Sequence, residues 1–89
     1  MTSDQKELFR VAVLRVFAAN KTRFGLGLPA VAHLATLFGF TDVAPEETAE
    51  AVEYLEHKQL LAEVPKTISP ENRAWRITPA GVAFLDERD

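Results

Sequence analysis

The sequence predicts a mostly helical α+β domain, in which a three-helix bundle is followed by a two- to three-stranded β-hairpin region and a short C-terminal helix. Two observations predict this fold class. Apolar residues recur at spacings of three and four through most of residues 4–59, which is the period of helices with one buried face. After Gln59 they alternate instead, in two runs separated by a proline-rich segment that is typical of a hairpin. The 89 residues suit one domain spanning 1–89 with one core.

The composition excludes several classes of function. The chain has no cysteine, which excludes disulfides, thiol catalysis and metal sites built on thiolates. Its apolar runs are far shorter than the ~20 residues that span a bilayer, and its polar N-terminus lacks the layout of a secretion signal. We therefore expect a cytoplasmic protein that does not bind a membrane. The net charge of −3 gives no overall attraction to nucleic acid, so any DNA contact must come from a local basic patch.

The first helix is predicted over about Asp4–Asn20, with Ser3 or Asp4 as its cap. It is apolar on two sides, and a helix of this kind must be covered on both. The rest of the domain can cover it, or a second copy of the chain can do so in a homodimer. The second apolar face and a surplus aromatic residue of the last helix are the predicted interface residues: Val11, Leu14, Phe17, Ala18 and Phe84.

The second helix is expected to begin at Pro29, because a proline lacks only an N–H that would have no helical partner at that position. Its apolar face is predicted to contain Val31, Leu34, Leu37 and Phe38, followed by Gly39 as the C-cap and by Phe40 tucked inward. The preceding segment 24–28 contains two glycines. It therefore predicts only a bridge-like pairing at a sheet edge.

Pro45 opens the third helix, whose buried stripe is predicted to include Ala49, Val52 and Leu55. Its exposed face is predicted to carry five residues: Glu46, Glu50, Glu53, Tyr54 and His57. The hairpin follows, with its tip at 65–72 and a return strand in which Trp75 packs against the third helix as core. Thr78 and Pro79 then mark the start of the last helix.

Two strings carry a resemblance to a known family. EYLEHKQLL (53–61) is similar to the end of the third helix in bacterial winged-helix regulators, and RAWRITPAG (73–81) looks like the Thr-Pro-x-Gly closure of their β-wing. The chain thus resembles a winged helix-turn-helix domain of the small bacterial or phage regulator type over nearly its whole length. One departure is Gln59, which stands where the family usually has glycine at a left-handed turn.

The resemblance implies a transcription regulator that binds double-stranded DNA through its third helix and wing. The residues expected to contact DNA are the cations and polar side chains around these elements: Lys21, Arg23, Tyr54, His57, Lys58, Lys66, Arg73 and Arg76. Five glutamates of the third helix oppose this function because they repel phosphates: Glu46, Glu47, Glu50, Glu53 and Glu56. The alternative is a winged-helix interaction or dimerisation module that does not bind DNA and whose acidic helix binds a basic protein.

No catalytic residue, metal site or cofactor is predicted. His33 and His57 are the only histidines, and they lie on different predicted helices without a metal-ligand spacing. Both are expected to be surface residues. We therefore expect a protein that acts by binding and is not an enzyme.

Overall fold

The computed structural model describes residues 1–21, 25–65 and 73–88. The elements in chain order are α1 (Ser3–Ala19), α2 (Leu28–Ala35), a 3₁₀ turn (Thr36–Phe38), α3 (Pro45–His57), β1 (Leu61–Glu63), β2 (Trp75–Ile77) and α4 (Pro79–Arg88). The two strands pair antiparallel, and Leu26 forms an isolated bridge with Trp75. This confirms the mostly helical α+β fold class and the bridge-like third strand. The predicted hairpin tip lies outside the described residues apart from its first position, Pro65.

The N-terminus of α1 is capped by Thr2, and not by Ser3 or Asp4 as predicted. The Thr2 hydroxyl accepts a hydrogen bond from the Gln5 backbone N–H at 3.2 Å, and the Gln5 side chain accepts one from the Thr2 N–H at 2.9 Å. This reciprocal pair is a capping box, which satisfies two N–H groups at once. The helix accordingly begins at Ser3.

The chain itself covers most of α1, because α2, α3, α4 and β2 all contact this helix. Leu14 and Phe17 are 0% and 1% exposed. Their prediction as interface residues is therefore wrong, since they are buried among residues of their own chain. The other three predicted interface residues, Val11, Ala18 and Phe84, are only partly buried.

The apolar face of α2 is shorter than predicted. Val31 and Ala35 are buried, whereas Leu37 is 79% exposed and Phe38 43% exposed. The helix ends at Ala35 and the backbone tightens into the 3₁₀ turn, so the helical period no longer carries the following residues to the buried side. Gly39 ends this turn with a φ of 90°, as its predicted capping role requires.

Phe40 returns to the core, where its ring centroid lies 5.2 Å from that of Phe9. Next along the chain, α3 buries Thr48, Ala51, Val52 and Leu55. Ala49, predicted as part of the buried stripe, is only partly buried.

In the part of the chain that the structure describes, no helix has both the length and the apolarity needed to cross a membrane.

Gln59 adopts the left-handed conformation that the family resemblance implies, with a φ of 65°. This conformation costs a residue with a Cβ about 1–2 kcal/mol relative to glycine. A glycine at position 59 would remove this strain, but its greater conformational freedom in the unfolded chain would offset part of the stability gained. We expect Gln59→Gly to raise the free energy of unfolding by about 0.5–1 kcal/mol, measured by urea denaturation. The exposed Gln59 side chain leaves little packing to lose.

The neighbouring Lys58, with a φ of −80°, provides the control for this substitution. Lys58→Gly should lower the free energy of unfolding, because glycine relieves no strain at a negative φ. Equal losses in the two variants would contradict the assignment of strain to position 59.

Candidate nucleic-acid interface

The solvent-facing side of α3 has the composition that the sequence predicts. All five predicted residues are exposed: Glu46, Glu50, Glu53, Tyr54 and His57. Glu47 and Glu56 are only partly exposed, and Glu56 Oε1 accepts a hydrogen bond from the indole N–H of Trp75 at 3.2 Å. The acidic surface of α3 therefore consists mainly of three glutamates.

Cations on α1 lie beside this surface. Lys6 Nζ is 3.8 Å from Glu50 Oε1, and the guanidinium carbon of Arg10 lies 3.8 Å from the centroid of the Tyr54 ring. Neither Lys6 nor Arg10 was predicted as a site residue. Lys6 and Arg10 are four residues apart on α1, and their partners Glu50 and Tyr54 are four residues apart on α3. This equal spacing is the only feature of the sequence that points to the two contacts. An exposed ion pair of this kind contributes only about 0–1 kcal/mol.

The C-terminal end of α3 is less acidic than its start. Lys58 Nζ lies 5.7 Å from the Tyr54 ring centroid, and His57 is exposed in the last helical turn. Arg10, Tyr54, His57 and Lys58 thus give this end of α3 a cationic and aromatic surface. Such a surface can donate hydrogen bonds to phosphate oxygens and stack on flat groups.

Arg73 is engaged within the hairpin. Its Nε donates to Glu63 Oε2 at 2.8 Å and its Nη2 to Glu63 Oε1 at 3.2 Å, while its guanidinium carbon lies 4.9 Å from the Trp75 ring centroid. The hydrogen bond with Glu63 raises the pKa of Arg73 above its usual value. Because a carboxylate already balances its charge, Arg73 is a weaker candidate for phosphate contact than the sequence predicts.

Lys21 and Arg76 line one open groove of about 470 Å³, which passes between the end of α1 and the start of α4. Its apolar wall includes Phe17 and Ile77. The structure therefore brings the predicted contact residues into two groups, with Tyr54, His57 and Lys58 in one and Lys21 and Arg76 in the other. Arg23 and Lys66 lie outside the described residues.

His33 and His57 are both exposed and lie on different helices. In residues 1–21, 25–65 and 73–88, no group of three or more His, Cys, Asp or Glu side chains is placed to hold a metal ion.

No protein-family model matches the sequence, and no curated protein matches it by sequence. Solved structures do match its fold. BpsR of Bordetella bronchiseptica, whose DNA binding is regulated by 6-hydroxynicotinic acid, superposes with a TM-score of 0.73 at 18% identity, over 89% of this chain and 53% of its own. S. aureus MepR, solved in a complex with DNA, gives a TM-score of 0.70 at 17% identity over 97% of this chain and 68% of its own.

The zinc-responsive MarR-family member ZitR of Lactococcus lactis matches 99% of this chain and 51% of its own, with a TM-score of 0.68 and 16% identity. At these identities the shared feature is the fold. The chain has the winged helix-turn-helix fold, with α2 and α3 as the helix-turn-helix and the β1–β2 hairpin as the wing. It spans about half the length of BpsR and of ZitR.

Proposed function

We propose that this chain is a winged-helix domain, spanning 1–89, that binds double-stranded DNA and regulates transcription in the cytoplasm by occupancy, without catalysis or a cofactor. The observation that carries the proposal is the superposition of 97% of the chain on MepR, a protein solved in a complex with DNA. In winged-helix proteins an exposed helix such as α3 enters the major groove, and the wing contacts the DNA backbone or the minor groove.

The charges of α3 indicate how such a complex would be arranged. Glu46 and Glu53 are exposed near the start and middle of the helix, where they repel phosphates. Lys58 follows the helix, and Arg10 lies beside its last turns over Tyr54. In this proposal the C-terminal end of α3 and the exposed Arg76 of the wing approach the phosphates most closely. The N-terminal half of α3 stays farther from the backbone.

A fluorescence anisotropy titration against a mixed-sequence duplex at low salt tests the proposal. We expect binding with a dissociation constant below ~100 μM, the weak limit of ordinary non-specific affinity, and we expect it to weaken steeply with added salt. Lys58→Gln should reduce the salt slope by about 0.9, the value for one lost phosphate contact. Glu53→Gln should tighten binding by about threefold, within the range of roughly 0.2–1 kcal/mol for an exposed charge pair.

Glu87→Gln provides the matched control, because it makes the same change of charge at an exposed position on α4. If Glu87→Gln tightens binding as much as Glu53→Gln does, the effect comes from net charge and the placement of α3 against DNA is wrong. Absence of binding at ~100 μM protein would rule out DNA as the partner.

The alternative function is a protein-interaction module. The exposed Glu46, Glu50 and Glu53 favour it, because an acidic helix surface attracts a basic partner and repels a phosphate backbone. The same titration separates the two functions, since a module of this kind leaves duplex DNA unbound at low salt. Under either function α3 acts as the recognition surface and no covalent chemistry takes place.

A further inference from the structure

The exposed face of α3 is centred on carboxylates. The buried residues of this helix define one side of it. At about 100° per residue, the opposite direction falls among four exposed residues: Glu46, Glu50, Glu53 and His57. In the docking proposed above, these side chains point most directly at the floor of the major groove.

Two of the glutamates on α3 are already engaged within the chain. Glu50 Oε1 lies 3.8 Å from Lys6 Nζ, which balances part of its charge, and Glu56 accepts the indole N–H of Trp75. Glu46 and Glu53 form no hydrogen bond or salt bridge with any other residue that the structure describes. They lie seven residues apart, about two helical turns, and so share one face of α3.

The first part of this face carries hydrogen-bond acceptors but no donor. Within residues 45–53, all of which the structure describes, the only side chain with a donor is Thr48, and it is 1% exposed. A carboxylate accepts hydrogen bonds and donates none. This part of α3 therefore lacks the side chains that recognise guanine, which are arginine and lysine, and those that recognise adenine, which are asparagine and glutamine.

Of the four bases, cytosine fits an acceptor of this kind best. In the major groove guanine presents two acceptors, and thymine presents an acceptor and a methyl group. Adenine places the acceptor N7 beside its N6 amino group, whereas cytosine presents its N4 amino group as a donor without an acceptor of its own beside it. A carboxylate is thus repelled by guanine and thymine, opposed in part by adenine and unopposed by cytosine.

We propose that Glu46 and Glu53 determine base preference, each by accepting a hydrogen bond from the N4 amino group of a cytosine in the major groove. This inference rests on the proposed DNA binding and adds to it the base that is read. It also separates the roles of the two ends of α3. The acidic first half reads bases at the centre of the groove, away from the phosphates, while Lys58 and the neighbouring Arg10 contact the backbone.

Selection of binding sites from a duplex pool with randomised sequence tests the preference. We expect the wild type to select cytosine at two positions. Glu46→Gln and Glu53→Gln should each change one of these positions from cytosine to adenine and leave the other unchanged, because the amide of glutamine matches N6 and N7 of adenine. Glu87→Gln makes the same change on α4 and should select the wild-type sequence.

Removing the amino group from the DNA tests the contact itself. The probe is the selected duplex with one chosen cytosine replaced by 2-pyrimidinone, which keeps the ring but lacks the 4-amino group. We expect the wild type to bind this duplex about tenfold more weakly than the unmodified one, within the discrimination typical of a direct base contact. The alanine variant of the matching glutamate, Glu46→Ala or Glu53→Ala, should bind the two duplexes equally.

The mixed-sequence duplex controls for damage to the fold. An unfolded variant loses affinity for every duplex, whereas removal of a glutamate should preserve or tighten binding to mixed sequence while the base preference is lost. A wild type that binds DNA without selecting cytosine would overturn the proposal, as would a cytosine preference that none of the glutamate variants alters. Either result leaves the proposed DNA binding intact. Absence of binding to the mixed-sequence duplex would instead remove both proposals.

Discussion

Replacing Trp75 with alanine should lower the free energy of unfolding by about 3–5 kcal/mol, the range for large aromatic side chains removed from a core. Trp75 is 2% exposed, and its indole N–H donates to Glu56 on α3. Its backbone exchanges two hydrogen bonds with Leu26, at 2.8 and 2.9 Å. One residue therefore joins the wing to α3 and to the extended segment before α2. A loss of this size is a large part of the roughly 5–15 kcal/mol that stabilises a typical domain.

The measurement is urea unfolding followed by circular dichroism, because Trp75 is the only tryptophan and its fluorescence is lost in the variant. Trp75→Phe keeps an aromatic ring but loses the hydrogen bond to Glu56. It should cost less than alanine, about 1–3 kcal/mol, which includes the penalty for leaving a half-buried carboxylate oxygen without this donor.

Tyr54→Ala is the matched control, since Tyr54 is an aromatic residue of similar size that is 40% exposed. Its removal should cost about 1 kcal/mol, chiefly from the contact with Arg10. Equal costs for Tyr54→Ala and Trp75→Ala would show that Trp75 does not join the wing to α3 in the way described.

The sequence predicts those parts of the fold that depend on a local period. The exposed face of α3 agrees residue by residue with its prediction, because thirteen consecutive helical residues keep one period throughout. The same argument fails in α2, whose eight residues end in a 3₁₀ turn. Leu37 and Phe38 are exposed there because the period changes, and no feature of the local sequence marks the change.

The missed features of the candidate interface depend on how separate elements meet. Arg10 stacks on Tyr54 only because α1 and α3 pack together there. Arg73 binds Glu63 only because the hairpin register pairs Glu63 with Trp75, which leaves Arg73 diagonally across from Glu63. Periodicity identifies which side of an element is buried but not which charges face each other across two elements. Among the described residues, Arg73 is therefore a weaker candidate for DNA contact than the sequence predicts, and Arg10 is an additional one.

Leu14 and Phe17 illustrate the same limit. The sequence shows that α1 is apolar on two sides and leaves open what covers the second side. The other elements of the described chain, which contact α1 from several sides, bury Leu14 and Phe17 almost completely. Burial therefore removes two of the five predicted interface residues, and the other three, Val11, Ala18 and Phe84, are only partly buried.

Gly81→Ala should lower the free energy of unfolding by about 2–3 kcal/mol, although helix propensity alone predicts a gain of about 1 kcal/mol from the same change. Gly81 lies within α4, and a Cβ added there would overlap the Leu60 carbonyl oxygen and would be 2.7 Å from Ile77 Cγ1. The start of α4 cannot easily move away to make room. The Thr78 hydroxyl lies 2.8 Å from the carbonyl oxygen of Gln59 and 3.0 Å from that of Leu60, and it accepts the Gly81 N–H.

Gly39→Ala separates this contact from the conformational cost of a side chain. A Cβ at Gly39 would meet nothing within 4 Å, but its φ of 90° should cost alanine about 1–2 kcal/mol. If Gly81→Ala proves stabilising in thermal or urea unfolding, the close approach of α4 to Leu60 is wrong. A loss instead gives a physical reason for the glycine of the Thr-Pro-x-Gly closure. The backbone of α4 at Gly81 lies against the carbonyl oxygen of Leu60, the residue that precedes β1, and only the hydrogen atom of a glycine fits between them.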